Sequence, residues 1–241
     1  MKTLTKYLNE KLVIFPSQVD EKLVINQRFD EKLIINKDYN DPYTCVPASW
    51  EELRKVIEDR YDKLGAGTND KPIDFNDVDV SNIDSFCYIN EGIFDGTKFE
   101  YIDISYWNVS NVKNMSNMFY NCKQLKYIGD LSNWNVSNVK SMSDMFEHCE
   151  QLKSVGDLSK WNVLNVKNMS SMFYICKQLK SVGDLSKWNV SKVESMSDMF
   201  YMCKQLKSVG DLSNWNVSKV NYMNNMFDNS GIINIPKWYK K

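Results

Sequence analysis

The sequence predicts an α/β repeat solenoid, in which short units of one design stack on one another. Three columns of residues support this fold class, because each recurs every 27 residues between about 107 and 227. A unit of this length cannot enclose a core of its own, so each coil is stable only against its neighbours. The columns contain five tryptophans (Trp107, Trp134, Trp161, Trp188, Trp215), five phenylalanines (Phe119, Phe146, Phe173, Phe200, Phe227) and four cysteines (Cys122, Cys149, Cys176, Cys203).

Each coil is predicted to contain one short parallel strand and one short helical turn. The strand is placed at Leu125–Ile128, which recurs as LKSV in the next three copies and is stopped by a glycine each time. The segment Val112–Cys122 has apolar side chains at steps of three and four, which is typical of an α-helix or a 3₁₀ helix. The order along a coil is therefore strand, turn, tryptophan loop and short helix.

The rest of the chain divides around this repeat. Residues 1–45 form an extended segment with three EKLVI-type repeats, and residues 46–74 form a capping helix and linker. The helix is predicted from a capping box of Ser49 and Glu52 and from Gly65 at its end. The solenoid covers 75–236. It comprises a degenerate first coil at residues 75–106 and five copies at residues 107–227, followed by a C-terminal cap at residues 228–241.

Charge is balanced overall but uneven along the chain. The 30 basic and 31 acidic side chains give a net charge of -1, which argues against recruitment by nucleic acid or an anionic membrane. Residues 1–100 contain 13 basic and 20 acidic side chains, whereas residues 101–241 contain 17 and 11. No apolar run approaches the roughly 18 residues of a membrane span, and no signal peptide is recognised. We therefore expect a cytoplasmic or virion-associated protein rather than one exported by a signal peptide.

Motifs for catalysis are missing from the sequence. His148 is the only histidine, so no Ser/His/Asp or Cys/His arrangement can be assembled. Its column varies between copies, which predicts an unconstrained surface position. We expect no catalytic residue, no cofactor and no metal site, although calcium binding by a recurring aspartate column (Asp103, Asp130, Asp157, Asp184, Asp211) is kept as an alternative.

The aromatic and cysteine columns are interpreted as structural ladders. Each cysteine falls among inward-facing apolar residues, which favours a buried free thiol over a disulfide between neighbouring coils. The tryptophan column is interpreted as a core ladder, with an aromatic platform for sugars as the alternative.

A lysine stripe is the candidate binding surface. One lysine lies between the two inward positions of each predicted strand and should point to solvent. These residues are Lys126, Lys153, Lys180 and Lys207, and Lys123, Lys177 and Lys204 broaden the patch. Solubility and protection against edge-to-edge pairing are the favoured explanation of the stripe, and binding of an acidic protein or an anionic glycan is the alternative.

The repeat also resembles a known family. The pattern D-I-S-x-W-N-V-S-N-V-x-N-M-x-x-M-F-x-x-C is similar to the BspA-like leucine-rich repeat of bacterial surface proteins and of mycoplasma lipoproteins, over about residues 75–236. This resemblance implies a right-handed leucine-rich-repeat-like solenoid used for adhesion or other protein contacts.

The opening MKTLTKYLNEKLVI is in addition similar to the starts of proteins encoded by tailed phages of gut bacteria. That similarity implies a virion structural or host-attachment protein, docked to a virion component through residues 1–40. Two functions therefore remain open: a non-catalytic recognition scaffold and a virion component.

Overall fold

The computed structural model describes residues 13–16, 23–26 and 45–240. Near the N-terminus, β1 (Val13–Pro16) pairs antiparallel with β2 (Leu23–Asn26). These strands overlap the first two EKLVI-type repeats. The third, residues 31–35, lies outside the described residues.

Helix α1 (Trp50–Leu64) has the ends that its sequence specifies. The hydroxyl of Ser49 accepts a hydrogen bond from the Glu52 amide at 3.2 Å, which satisfies one of the free donors of the first turn. Gly65 ends the helix at φ 73°, a conformation that a glycine adopts without steric cost.

One face of α1 packs against the first coil of the stack. Leu53, Val56 and Ile57 are buried on this face. Tyr61 meets the edge of Phe99 at a ring-centroid distance of 5.1 Å. The helix therefore covers the N-terminal end of the apolar core.

Four short strands lie between residues 73 and 103, at the start of the stack. β3 (Ile73–Asp74) pairs parallel with β6 (Ile102–Asp103), whereas β4 (Cys87–Tyr88) and β5 (Glu91–Gly92) form an antiparallel hairpin. Relative to the repeat, the degenerate first coil has four additional residues before Ile93 and Phe94, and this hairpin lies at that insertion.

Beyond residue 107 the backbone forms a stack of coils joined by hydrogen bonds between equivalent positions. The amides of Met115 and Phe119 donate to the carbonyls of Ser141 and Met145 in the next coil, both at 2.9 Å. The same contacts recur in the next three coils, up to those from Met196 and Phe200, so the prediction of a repeat solenoid is confirmed. Parallel bridges connect one position throughout the stack: Ser85, Asn114, Ser141, Asn168, Ser195 and Tyr222.

The predicted four-residue strand is reduced to single bridges. Near the Leu125–Ile128 position the structure has only the pairs Tyr101 with Tyr127 and Ser154 with Ser181. The buried residues Leu125 and Ile128 are three positions apart, whereas an extended strand with one buried face needs a spacing of two. Consecutive residues of this segment therefore cannot form a continuous ladder.

The predicted α-helix at Val112–Cys122 was wrong, and of the 3₁₀ alternative the structure has only separate turns. Asn117 and Asn121 have left-handed φ angles of 57° and 58°, which break a right-handed helix twice within the segment. The chain forms consecutive four-residue turns instead, closed by hydrogen bonds such as that from the Tyr120 amide to the Asn117 carbonyl, and alternate amides donate to the next coil. The 3₁₀ helices lie elsewhere, directly after the recurring aspartate, at Leu158–Lys160, Leu185–Lys187 and Leu212–Asn214.

Two aromatic columns form the centre of the core. Phenylalanine rings from Phe94 to Phe227 stack at centroid distances between 5.0 and 5.9 Å. The indoles of Trp134, Trp161 and Trp188 stack at 6.5 Å and are almost parallel. Because each ring touches the next, every coil covers the apolar surface of its neighbour.

The C-terminal cap extends the tryptophan column by one ring. Trp238 stacks on Trp215 at 6.3 Å, although it lies 23 residues further along the chain instead of 27. Ile233 lies 27 residues after Leu206, so the spacing predicts that it occupies the buried leucine position of the cap. Ile232 is buried there and Ile233 is 79% exposed, because the shorter cap changes the register.

Candidate interaction surface

The lysine stripe lies on the outside of the stack. Leu152 and Val155 are fully buried, and Lys153 between them is exposed. Lys180 and Lys207 are exposed at the equivalent positions of the next coils. Lys126, at the N-terminal end of the stripe, is only partly exposed.

Two of the seven lysines are held in ion pairs. The ammonium group of Lys126 contacts the carboxylate of Glu100, and this hydrogen bond raises the pKa of Lys126. Lys177 contacts Glu150 in the same way, and the hydrogen bond lowers the pKa of the Glu150 carboxyl. These pairs neutralise the stripe at two points.

The other five lysines form no ion pair with the described residues. Lys153 and Lys180 extend into solvent, whereas the ammonium group of Lys207 donates to the Lys204 carbonyl at 3.2 Å. Lys123 and Lys204 are exposed beside them. The available positive charge is therefore concentrated at Lys123, Lys153, Lys180, Lys204 and Lys207.

The backbone under the stripe is fixed by contacts between coils. The Lys180 amide donates to the Lys153 carbonyl at 3.1 Å. The strand segment ends at glycines with left-handed φ angles; at Gly156 (φ 85°) a Cβ atom would lie 1.9 Å from Oδ1 of Asp130. Ammonium groups in neighbouring coils are thus carried on a backbone of defined spacing.

A glutamine column beside the stripe escaped the sequence interpretation. It is exposed in all four copies that contain it, and within residues 45–240 its side chains form no hydrogen bonds. Packing does not explain why the same residue recurs at an exposed site, so the recurrence itself was the available signal. The column comprises Gln124, Gln151, Gln178 and Gln205.

The tryptophan ladder is buried and its polar atoms are satisfied. Each indole N–H donates to a backbone carbonyl of the preceding coil, as Trp161 does to Leu131 at 2.9 Å and Trp188 to Leu158 at 2.9 Å. The indoles are only 3% to 4% exposed. This burial removes the alternative of an exposed aromatic platform for sugars.

The cysteine ladder uses its thiols as hydrogen-bond donors. Sγ of Cys176 lies 3.1 Å from the Phe146 carbonyl, and Sγ of Cys203 lies 3.0 Å from the Phe173 carbonyl. Burial raises the pKa of the Cys203 thiol to about 12, so the thiol keeps its proton. The cysteines are free in the structure.

His148 lies at a constrained position, not at the unconstrained one expected. Its φ angle is 60°, and Asn121, Ile175 and Met202 have the same left-handed conformation in their own coils. The imidazole is partly buried, its ring centroid lies 5.5 Å from that of Tyr174, and burial lowers its pKa. The column varies in residue type because backbone geometry, rather than a side chain, is what the position requires.

The aspartate column stabilises turns. Oδ1 of Asp157 accepts from the Ser159 amide at 3.0 Å, and Asp184 and Asp211 bond their own following serines at 2.9 Å. These hydrogen bonds lower the pKa of Asp184 and Asp211. Across the described ranges, no three acidic, histidine or cysteine side chains converge as metal ligands would.

A family match covers most of the repeat region. The family described as "Mycoplasma protein of unknown function, DUF285" matches residues 88–208 and, in an overlapping second match, residues 154–239. The chain belongs to this family. The resemblance of the repeat to the mycoplasma type is thereby confirmed. No curated protein matches the chain.

One solved structure is similar to this member of the DUF285 family. It is a crystal structure of a leucine-rich repeat protein from Eubacterium ventriosum, with 20% sequence identity and a TM-score of 0.42. The similarity covers 62% of this chain and 36% of the other, so the DUF285 chain spans about a third of that protein's length. In the part of the chain that the structure describes, no helix is long and apolar enough to cross a membrane.

Proposed function

We propose that the protein is a non-catalytic repeat scaffold that binds a protein or an anionic glycan through its lysine stripe. The observation that supports this most directly is the set of unpaired ammonium groups at Lys153 and Lys180, in register on a rigid backbone. Exposed charges of this kind guide an anionic partner toward a surface and fix its orientation. The buried aromatic columns hold the stack, which leaves the outer columns available for contacts.

The glutamine column supports the same surface. Gln151 and Gln178 stand two residues before Lys153 and Lys180, so amide and ammonium groups recur together in successive coils. An amide both donates and accepts hydrogen bonds, whereas an ammonium group only donates. Together they suit carboxylates or sulfates that lie beside hydroxyl or peptide groups.

Binding to defined anionic probes tests this function. We would measure the affinity of the full chain for size-defined heparin fragments and for an acidic peptide. A variant with Lys153, Lys180 and Lys207 changed to Ser removes three ammonium groups from the stripe. Losing three such contacts should weaken binding by about tenfold or more, and binding should weaken further with added salt.

The matched control removes the same charge elsewhere. Lys140, Lys160 and Lys187 are exposed in other columns, so their triple Ser variant has the same net charge. It should retain affinity within about threefold. Equal loss in both variants would show that net charge alone attracts the probe, and no binding of either probe by the intact chain would refute the proposal.

A second candidate function concerns the N-terminal segment. The β1–β2 hairpin has an antiparallel pair whose outer edges could add to an exposed sheet of a virion component. Under this proposal, deletion of residues 1–45 abolishes association with phage particles while the solenoid stays folded. Unchanged association after the deletion would contradict it.

A further inference from the structure

The last coil of the solenoid has a row of backbone amides without acceptors. In an inner coil, the amides of Met196, Asp198, Phe200 and Met202 donate to the coil that follows. The equivalent amides belong to Met223, Asn225, Phe227 and Asn229, and within residues 45–240 they have no hydrogen-bond acceptor. This end of the stack therefore presents hydrogen-bond donors.

The C-terminal cap covers the aromatic columns but not this row. Trp238 stacks on Trp215, and Tyr239 meets the edge of Phe227 at 5.1 Å. Beside them, an open recess of about 350 Å³ is lined by Tyr222, Lys240 and neighbouring polar residues. Met223 and Asn225, which carry the first two amides of the row, line this recess.

The N-terminal end of the stack has the opposite character. Two carbonyls there are already used, because the guanidinium group of Arg54 donates to the Gly92 and Ile93 carbonyls at 3.1 and 2.9 Å. The surface there is acidic: residues 45–100 contain 13 acidic and 6 basic side chains. Residues 215–241 contain four lysines and a single acid, Asp228. The two ends are complementary in charge.

Among the described residues, the exposed large apolar side chains fall within residues 64–127 and 222–235. Near the C-terminal end, Tyr222 is 65% and Ile233 79% exposed. Near the N-terminal end, Leu64 is 61% and Ile89 80% exposed. Between residues 128 and 221 no large apolar side chain is exposed, so the central coils present no large apolar side chain to solvent.

Ile89 gives an independent indication. It lies at the tip of the β4–β5 hairpin with φ 47°, a left-handed conformation that is strained for a β-branched residue. Asparagine or glycine would fit this turn better. Because Ile89 is 80% exposed, it buries little apolar surface within its own chain, which favours a role in contact with another surface.

We propose that the acidic N-terminal end of one copy docks onto the open C-terminal end of a second copy. Carboxylates of the first would face the amide row and lysines of the second, and the exposed apolar residues of both ends would be buried together. Such a contact is head to tail, so it extends into chains of molecules unless the rotation closes a ring. It uses residues outside the lysine stripe and stands or fails independently of the function proposed above.

Sedimentation velocity of the full chain at increasing concentration tests the contact. One variant alters the C-terminal end (Tyr222→Asp with Ile233→Asp), and a second alters the N-terminal end (Leu64→Lys with Ile89→Lys). We expect the wild-type chain to associate, each variant alone to remain monomeric, and their equimolar mixture to associate again. Association of the wild type should decrease with added salt.

The control changes charge in central coils outside the lysine stripe, Lys160→Gln with Lys187→Gln, which lowers the net charge by two as the C-terminal variant does, and it should associate like the wild type. Circular dichroism confirms that each variant is folded. A wild-type chain that stays monomeric up to about 1 mM would overturn the proposal. So would dimers that persist in the N-terminal variant alone, because they would show pairing between two C-terminal ends.

Discussion

Removing one indole from the centre of the tryptophan ladder should cost much more than removing one from its end. Trp188 is 3% exposed, stacks on both Trp161 and Trp215, and donates to the Leu158 carbonyl. Trp188→Phe loses that hydrogen bond, worth about 1 kcal/mol. It weakens two ring contacts, each worth about 0.5–1.5 kcal/mol. A small cavity adds to this loss, so the free energy of unfolding should fall by about 2–4 kcal/mol.

The matched variant is Trp238→Phe in the C-terminal cap. Trp238 is only partly buried and stacks on one ring, although its N–H donates to the Leu212 carbonyl at 2.8 Å. The expected loss is about 1–2 kcal/mol. Urea denaturation followed by circular dichroism measures both losses. Equal losses in the two variants, or a loss below about 1 kcal/mol for Trp188→Phe, would refute the assignment of stability to contacts between coils.

Two further predictions concern stability. The pKa of Glu147 is raised to about 8 by burial, by a hydrogen bond with Asp144 and by the charges of Asp144 and Asp198. The folded state therefore holds a proton that the unfolded state releases above about pH 4.5. The free energy of unfolding should therefore fall as pH rises from 4.5 to 8. Glu147→Gln should remove this dependence and be more stable than the wild type by about 1–3 kcal/mol at pH 8.5. Urea denaturation curves at pH 5 and 8.5 that shift equally for both proteins would contradict the prediction. Gly183→Ala should lower the free energy of unfolding by about 1–3 kcal/mol, because φ is 82° and the new Cβ would lie 1.8 Å from Oδ1 of Asp157. Thermal unfolding compared with Gly96→Ala, where the new Cβ meets open space, isolates the effect of this clash. Equal losses in the two variants would rule out a destabilising clash at Gly183.

Side-chain columns could be predicted from the sequence, but backbone conformation only in part. The spacing of Trp134 and Trp161 indicated which residues share a column, and the helix ends at Ser49 and Gly65 follow from local chemistry. The segment around Met115 was misassigned because steps of three and four also describe consecutive turns. Asn117 and Asn121 tolerate left-handed angles and were a usable signal, whereas Ile175 adopts the same angle only because its coil is stacked.

The candidate surface follows the same division. The sequence indicated which lysines recur, but it could not show that Glu100 and Glu150 neutralise two of them, since these pairs join residues 26 and 27 positions apart. The shift of burial from Ile233 to Ile232 also depends on how a shortened last coil meets the coil before it.

The sequence by itself determined that the chain is a stack of coils, because a 27-residue period fixes which side chains repeat and a unit of that size cannot bury them alone. Tertiary structure decided where the hydrogen bonds go. Alternate amides of each coil donate to the next, and this choice imposes the left-handed residues, prevents the helix and leaves the last coil with unused donors. A local sequence pattern cannot specify these hydrogen bonds, because the acceptor atoms belong to a neighbouring coil. Buried backbone amides need an acceptor, and its position depends on how the coils pack.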